Sequence, residues 1–236
     1  MPVHSSHAKV LPSSTTLRAN LRLSLSVGEI VLTPLPLVPE ISLYLLGEDY
    51  PRGPLPHDEM LAVLENPSYW AFCWASGQVL ARYILDHSSE FCGKTVLDLG
   101  SGSGVVGIAA KLAGASEVIC CDIDPMALDA TAVNAHANHV SVTLLDDLAD
   151  MARRVDIAIA ADVLYDRENM PLLERMPVIS DQVIVADSRV KNVEIHGYEL
   201  VDRQEATTIP DLDEFEEFRD VKVYRAVKAA RSTPQD

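Results

Sequence analysis

The stretch Val96-Leu97-Asp98-Leu99-Gly100-Ser101-Gly102-Ser103-Gly104 runs a short apolar strand straight into three glycines that open a helix. Glycine here lets the backbone turn sharply and lets a ligand approach main-chain atoms that any Cβ would shield, so a bound nucleoside is implied. A pyrophosphate fingerprint would be G-x-G-x-x-G. Counted from Gly100, its third glycine would fall at Val105, whereas the chain has it at Gly104, which is the wrong spacing for a dinucleotide cradle.

Outward from this point the pattern is regular. Apolar strands are expected at 95–99, 117–121, 140–145, 157–161 and 183–186. Helices are expected at 105–112, closed by Gly114, at 125–138, with Asp124 as cap and Pro125 at the first position, and at 170–178. Short buried strands alternating with helices predict an α/β fold: a Rossmann-like, doubly wound, mostly parallel sheet with helices on both faces. After Asp187 the rhythm changes, and segments 198–206 and 221–227 read as antiparallel strands closing one edge. Upstream, 69–87 reads as one helix carrying Trp70, Trp74, Leu80, Ile84 and Leu85. The proline-broken region before it reads as short extended pieces and loops, with a helical turn near 40–46. The expected organisation is a flexible N-terminus (1–16), a cap and helix (17–92) and a core (93–230), making one domain.

The 236 residues hold 19 Lys+Arg against 35 Asp+Glu, a formal charge of −16. That balance argues against a nucleic-acid partner or an anionic membrane surface. No run approaches 18 apolar residues. The first 28 residues are basic and rich in Ser and Thr, like an organelle transit peptide. Pro2 and Pro12 disfavour the amphipathic helix such a leader needs, so a frayed, exposed terminus is expected. Cys73, Cys92, Cys120 and Cys121 lack C-x-x-C spacing, so neither a metal site nor a disulfide is expected. Buried free thiols in a reducing cytoplasm are.

Ligands of such sheets sit beyond the carboxyl ends of the strands. G-x-G-x-G with Asp98 two residues earlier resembles the pattern of class I S-adenosylmethionine methyltransferases. In that reading Gly100, Ser101, Gly102 and Gly104 form the cofactor turn, and Asp98 meets the amino group, directly or through water. The alternative for Asp98 is a carboxylate that merely fixes the turn. Asp122, at the end of the second strand, is placed to accept from both ribose hydroxyls, and Ile123 to pack on the adenine face. Of Asp146 and Asp147, Asp146 is preferred for the adenine amino group. The fourth strand delivers Ala161 to the cofactor side and Asp162 and Tyr165 to the reacting side. There Asp162 holds and orients an amine while Tyr165 narrows the pocket and makes one hydrogen bond. A helix-capping Asp and a core Tyr are the bland alternatives. Asp187, after the fifth strand, is another acid near the pocket.

Five segments together carry a closer resemblance: Val38-Pro39-Glu40-Ile41-Ser42-Leu43, Tyr69-Trp70-Ala71-Phe72-Cys73-Trp74-Ala75-Ser76-Gly77-Gln78, VLDLGSGSG, CDIDPMA and DVLYD. In that order the chain resembles the family of lysine methyltransferases that act on the electron transfer flavoprotein beta subunit, with its bacterial relatives. The resemblance implies a seven-stranded Rossmann-like domain that uses S-adenosylmethionine, releases S-adenosylhomocysteine, and methylates lysines of a folded protein such as that subunit. It also implies that Trp74 and Gly77 border the cofactor, unless they only pack a helix on the sheet. Where relatives often show Asp-Pro-Gly-Arg, this chain reads Asp187-Ser188-Arg189-Val190, which leaves the substrate open. The acidic run of Asp211, Asp213, Glu214, Glu216 and Glu217 reads more readily as a solvated face than as a steering surface. A small-amine or ribosomal-protein lysine methyltransferase and a non-catalytic nucleoside binder remain alternatives. The glycine spacing disfavours a nicotinamide oxidoreductase. The oligomeric state is left open, a monomer being the simplest reading.

Overall fold

The computed structural model describes residues 12–50, 52–164, 167–190 and 197–227. In chain order the elements are α1 (Ser14–Leu21), β1 (Ile30–Pro34), β2 (Ser42–Leu46), α2 (His57–Glu65), α3 (Ala75–Asp86), α4 (Ser88–Phe91), β3 (Thr95–Leu99), α5 (Val105–Leu112), β4 (Glu117–Cys121), α6 (Pro125–Ala137), β5 (Thr143–Leu145), β6 (Val155–Ala161), α7 (Leu172–Ile179), β7 (Ser180–Asp187), β8 (Glu199–Glu205) and β9 (Asp220–Val227).

The main sheet has seven strands in the order β5-β4-β3-β6-β7-β9-β8. The five strands from β5 to β7 run parallel, and β9 is antiparallel to both β7 and β8. Order reverses between β3 and β6, and that switch point opens a crevice at the strands' carboxyl ends. The central strands are apolar throughout because helices cover both faces: Val96, Leu97, Ile157, Ile159 and Ile184 are all nearly inaccessible. One face packs α3 and α5 through Val79, Leu80, Ile84 and Ile108, and the other packs α7 through Leu173 and Met176.

The N-terminal region departs from the sequence expectation. The turn of helix expected near 40–46 is instead β2, paired antiparallel with β1 from Ile30↔Leu46 to Pro34↔Ser42. Its prolines stand at the strand end and in the connection, where no ladder hydrogen bond is lost. The hairpin is bound to the core by two asparagines of and just after α6: Asn134 Oδ1 accepts from Tyr44 N (2.7 Å) and Asn138 Oδ1 from Ser42 N (3.0 Å). Leu17, Leu21, Ile30, Leu46 and Trp70 form a third apolar cluster against Ala127, Ala130 and Val133 of α6, while Leu35, Val38, Ile41, Leu43 and Leu45 join the main core, so the cap is packed into the domain. Residues 12–16 of the segment expected to be flexible lead into and open α1; residues 1–11 lie outside the described residues.

The single helix expected over 69–87 is split. A 3-10 turn spans Tyr69–Ala71, and α3 starts only at Ala75, because Cys73 forms an extended bridge with Ile209 through two backbone hydrogen bonds of 2.8 Å. The strand expected over 140–145 shortens to β5. Cys73, Cys120 and Cys121 are buried free thiols, while Cys92, also read as buried, is exposed.

Candidate active site

Gly100 takes φ +72°, and its amide and that of Ser101 both donate to Cys121 O (2.8 and 3.1 Å), tying the turn to the end of β4. A Cβ on Gly100 would stand 2.6 Å from Val163 Cγ1, whereas one on Gly102, at φ +50°, would point into space, with only Gly100 O as near as 4.0 Å. Gly102 N donates to Asp122 Oδ2 (2.8 Å), and Asp122 Oδ1 accepts from Asp124 N (3.0 Å). Asp124 caps α6 by accepting from Met126 N (2.8 Å), with Pro125 at the first position.

Above this turn lies a cavity of about 690 Å³, within the size range of small-molecule sites. Of the residues singled out from the sequence, Trp74, Gly100, Gly102, Asp122, Ile123, Ala161 and Asp162 line it. Ile123 is 89% exposed, an apolar side chain with nothing of its own to pack on.

Others are placed elsewhere. Asp98 does not reach the cavity: it is 1% exposed and its Oδ2 accepts from Gly107 N (2.8 Å) in the first turn of α5. Burial, with Asp122 adding and the Gly107 bond opposing, pushes its carboxyl up to about 7. That bond ties Asp98 to the start of α5. Ser101 is buried, with Oγ 3.1 Å from Thr131 Oγ1. Gly104 is the left-handed N-cap of α5, packed so closely on Thr131 that a Cβ would stand 3.1 Å from its Cα. Gly77 permits helix packing: a Cβ there would meet Val105 Cγ1 at 3.0 Å. Asp146, preferred from the sequence, is not among the residues lining the cavity. Asp147 lines the cavity, held by accepting from Ala149 N (2.7 Å). Tyr165 lies outside the described residues.

Asp162 follows β6 with φ +51°, in the left-handed region that non-glycine residues seldom adopt. Its amide donates to Ala186 O (3.0 Å) on β7. Its Oδ2 accepts from Ser76 N (3.0 Å), and its Oδ1 from Ser76 Oγ (2.7 Å) and Ser188 Oγ (3.3 Å). α3 has no side-chain cap in its own segment, so Asp162 caps it from across the sheet while also facing the cavity. Burial is the main cause raising its carboxyl to about 6; Asp187 adds, while Ser76 and Arg189 oppose. Asp187 is fully buried and accepts on Oδ1 from Arg189 N and Val190 N (both 2.8 Å), shaping the turn that carries Arg189 to the rim.

Sequence reasoning missed two arginines of the cavity wall, Arg175 and Arg189, and the Glu65-Asn66-Pro67 corner. Arg189 lies 5.6 Å from the Trp74 ring centroid and 4.7 Å from that of Phe218, and is ion-paired with Glu214. In the acidic run, Asp213 pairs with Arg52 (2.7 Å) and Asp211 with Arg219 (3.9 Å). Asp211, Asp213 and Glu214 thus each have an arginine at hand, so the segment is a laced strap beside the mouth.

These features fit a sulfonium nucleoside. The open space over Gly102 leaves room against the backbone, Asp122 keeps lone pairs for two hydroxyls, and exposed Ile123 offers a face for a base. The buried Asp98 carboxylate meanwhile occupies the α5 N-terminal turn, where a pyrophosphate would otherwise be drawn.

A family model described as lysine methyltransferase matches residues 63–194, more than half of the chain. The human electron transfer flavoprotein beta subunit lysine methyltransferase is 37% identical over 135 residues, covering 56% of this chain and 50% of that protein. A zebrafish protein N-lysine methyltransferase, METTL21A, is 29% identical over 177 residues, 69% of this chain and 79% of that one. The chain spans about half the length of the flavoprotein-directed relatives it matches. Among solved structures, the ribosomal protein L11 methylase of Lactobacillus delbrueckii subsp. bulgaricus shares the fold, with a TM-score of 0.51 and 22% identity over 65% of this chain and 79% of that one.

Proposed function

The chain belongs to the lysine methyltransferase family, and from that premise we propose that it is an S-adenosylmethionine-dependent protein-lysine N-methyltransferase. The observation that carries this reading is the meeting, in one cavity, of the bared glycine turn, Asp122 and the Asp162 rim. When bound, S-adenosylmethionine supplies a methyl group made electrophilic by its sulfonium. Gly100 and Gly102 would admit the cofactor against the backbone, Asp122 would accept from the ribose hydroxyls, Ile123 and Trp74 would cover it, and Asp147 would meet the base.

The protein's own part is positioning. With its carboxyl near 6, Asp162 is ionised at neutral pH. It accepts an N–H from the incoming lysine, aims the nitrogen lone pair away from itself, and balances the positive charge that grows on nitrogen. Ser76 and Ser188 hold the carboxylate still. Tyr165, three residues after Asp162 in sequence, would narrow the vestibule and contribute one hydrogen bond.

The favoured target is a lysine of a folded protein of the electron transfer flavoprotein beta subunit type, supported by the names of relatives matched over 56% of this chain. A cytoplasmic site of action is proposed with it, on the support of four free cysteines. The test is to incubate the enzyme with methyl-labelled cofactor and a cell extract, with mass spectrometry of the labelled products. Label on protein lysines is expected, lost with Asp162→Ala while calorimetric binding of S-adenosylhomocysteine persists. Label confined to small molecules would overturn the reading.

A further inference from the structure

α2 is an anomaly in an otherwise well-packed chain. None of its nine residues is buried, and Met60, Leu61 and Leu64 are 44%, 45% and 72% exposed. These positions fall at i, i+1 and i+4, one side of a helix. A helix this short is marginal in water without tertiary packing. Among the described residues Leu64 is nevertheless mostly uncovered, and Met60 and Leu61 are close to half uncovered. The loop after α1 is tied to the opposite side of the helix, where Ser26 N donates to Glu59 Oε1, and so leaves the apolar side open. Contiguous apolar surface rimmed by polar groups marks an interaction site.

Two observations say what covers it. The first is continuity: Glu65, the last residue of α2, and the adjoining Asn66 and Pro67 form one wall of the cavity. A folded protein that delivers a side chain past this rim must lie against the rim's outer face. The second is charge. α2 carries Asp58, Glu59 and Glu65 and no Lys or Arg, in a chain of net charge −16. A partner with apolar side chains flanked by lysines or arginines is complementary to both features.

We infer that the exposed side of α2 is the docking surface for the protein substrate, a folded protein with a basic-rimmed apolar patch near its target lysine. This inference rests on the proposed lysine methyltransferase function and adds where the substrate is gripped. Docking at a distance from the reacting atoms sets KM and leaves the chemical step alone.

The experiment compares the parent protein with Leu61→Asp/Leu64→Asp, substitutions at exposed positions that leave the core untouched. The substrate is purified electron transfer flavoprotein or, where that is not methylated, the purified protein that the extract labels. Expected are a KM at least about tenfold higher, a kcat within about twofold, and unchanged calorimetric binding of S-adenosylhomocysteine. A KM within about twofold of the parent value overturns the docking surface while the methyltransferase reading stands. A parent protein that methylates no protein overturns both. If light scattering shows a parent dimer that the double variant dissociates, with KM unchanged, the face belongs to a second copy and the inference fails.

Discussion

Replacing Asp162 by Asn keeps the shape of the side chain and separates its two jobs. The carboxylate accepts from Ser76 N on one oxygen and from the Ser76 and Ser188 hydroxyls on the other. An Asn can keep the hydroxyl side through its carbonyl oxygen, but its NH2 then faces the Ser76 amide. That leaves a donor unpaired, at a cost of about 1–3 kcal/mol. Against this stands a relief. Burial raises the Asp162 carboxyl from 3.8 to about 6, and a pKa raised in the folded state means stability present at low pH and lost as pH climbs through that value. A rise of about 2 units corresponds to about 3 kcal/mol lost by pH 8 relative to pH below 4. The Asn variant has no such loss. It is therefore expected to be destabilised by about 1–3 kcal/mol at pH 4.5 or below, and to match or exceed the parent at pH 8. Urea unfolding at the two pH values, with unchanged m, reads this directly. At pH 8 turnover should fall by about two orders of magnitude, with S-adenosylhomocysteine affinity within about twofold. An equal stability loss at both pH values would refute the buried-charge argument, and a parallel loss of cofactor affinity would refute the placement of Asp162 on the reacting side.

Ile123→Ser should leave stability within about 0.5 kcal/mol, since the side chain is 89% exposed, yet weaken S-adenosylhomocysteine about tenfold by calorimetry; unchanged affinity would remove Ile123 from the cofactor site. Gly102→Ala should cost about 1–2 kcal/mol for its left-handed backbone and weaken the same ligand at least about tenfold, because the new methyl fills the open space over the turn. Retained affinity would show that the ligand does not approach there.

The core was readable because burial on both faces writes each parallel strand as an apolar run and each helix with its own punctuation. β3, α5 and β4 fall where the pattern puts them. What was not readable depended on partners remote in sequence. The helix break before Ala75 is made by Ile209, and the cap of α3 by Asp162. The β1–β2 hairpin lies among prolines, and β1, Ile30-Val31-Leu32-Thr33-Pro34, lacks the alternation that would mark it as one partner of a hairpin. Asp98 and Asp122 are both carboxylates at strand ends, and spacing alone cannot tell inward from outward. The Gly107 amide claims Asp98, while Asp122 retains access to the cavity. Asp146 and Asp147 are neighbours at the end of β5, and only the folded strand end shows that Asp147 is the one that lines the cavity. Arg175 left no signal, being one charged residue on a helix surface.

The grip on Asp162 has an arithmetic in hydrogens. A carboxylate offers about four acceptor positions, and Ser76 and Ser188 occupy three of them, leaving one for the incoming amine. A neutral primary amine has two hydrogens to offer that position and a monomethylated one has a single hydrogen. A dimethylated nitrogen has none, so a third transfer would proceed on a substrate that this acid can no longer hold by a hydrogen bond, and successive products should escape with increasing ease.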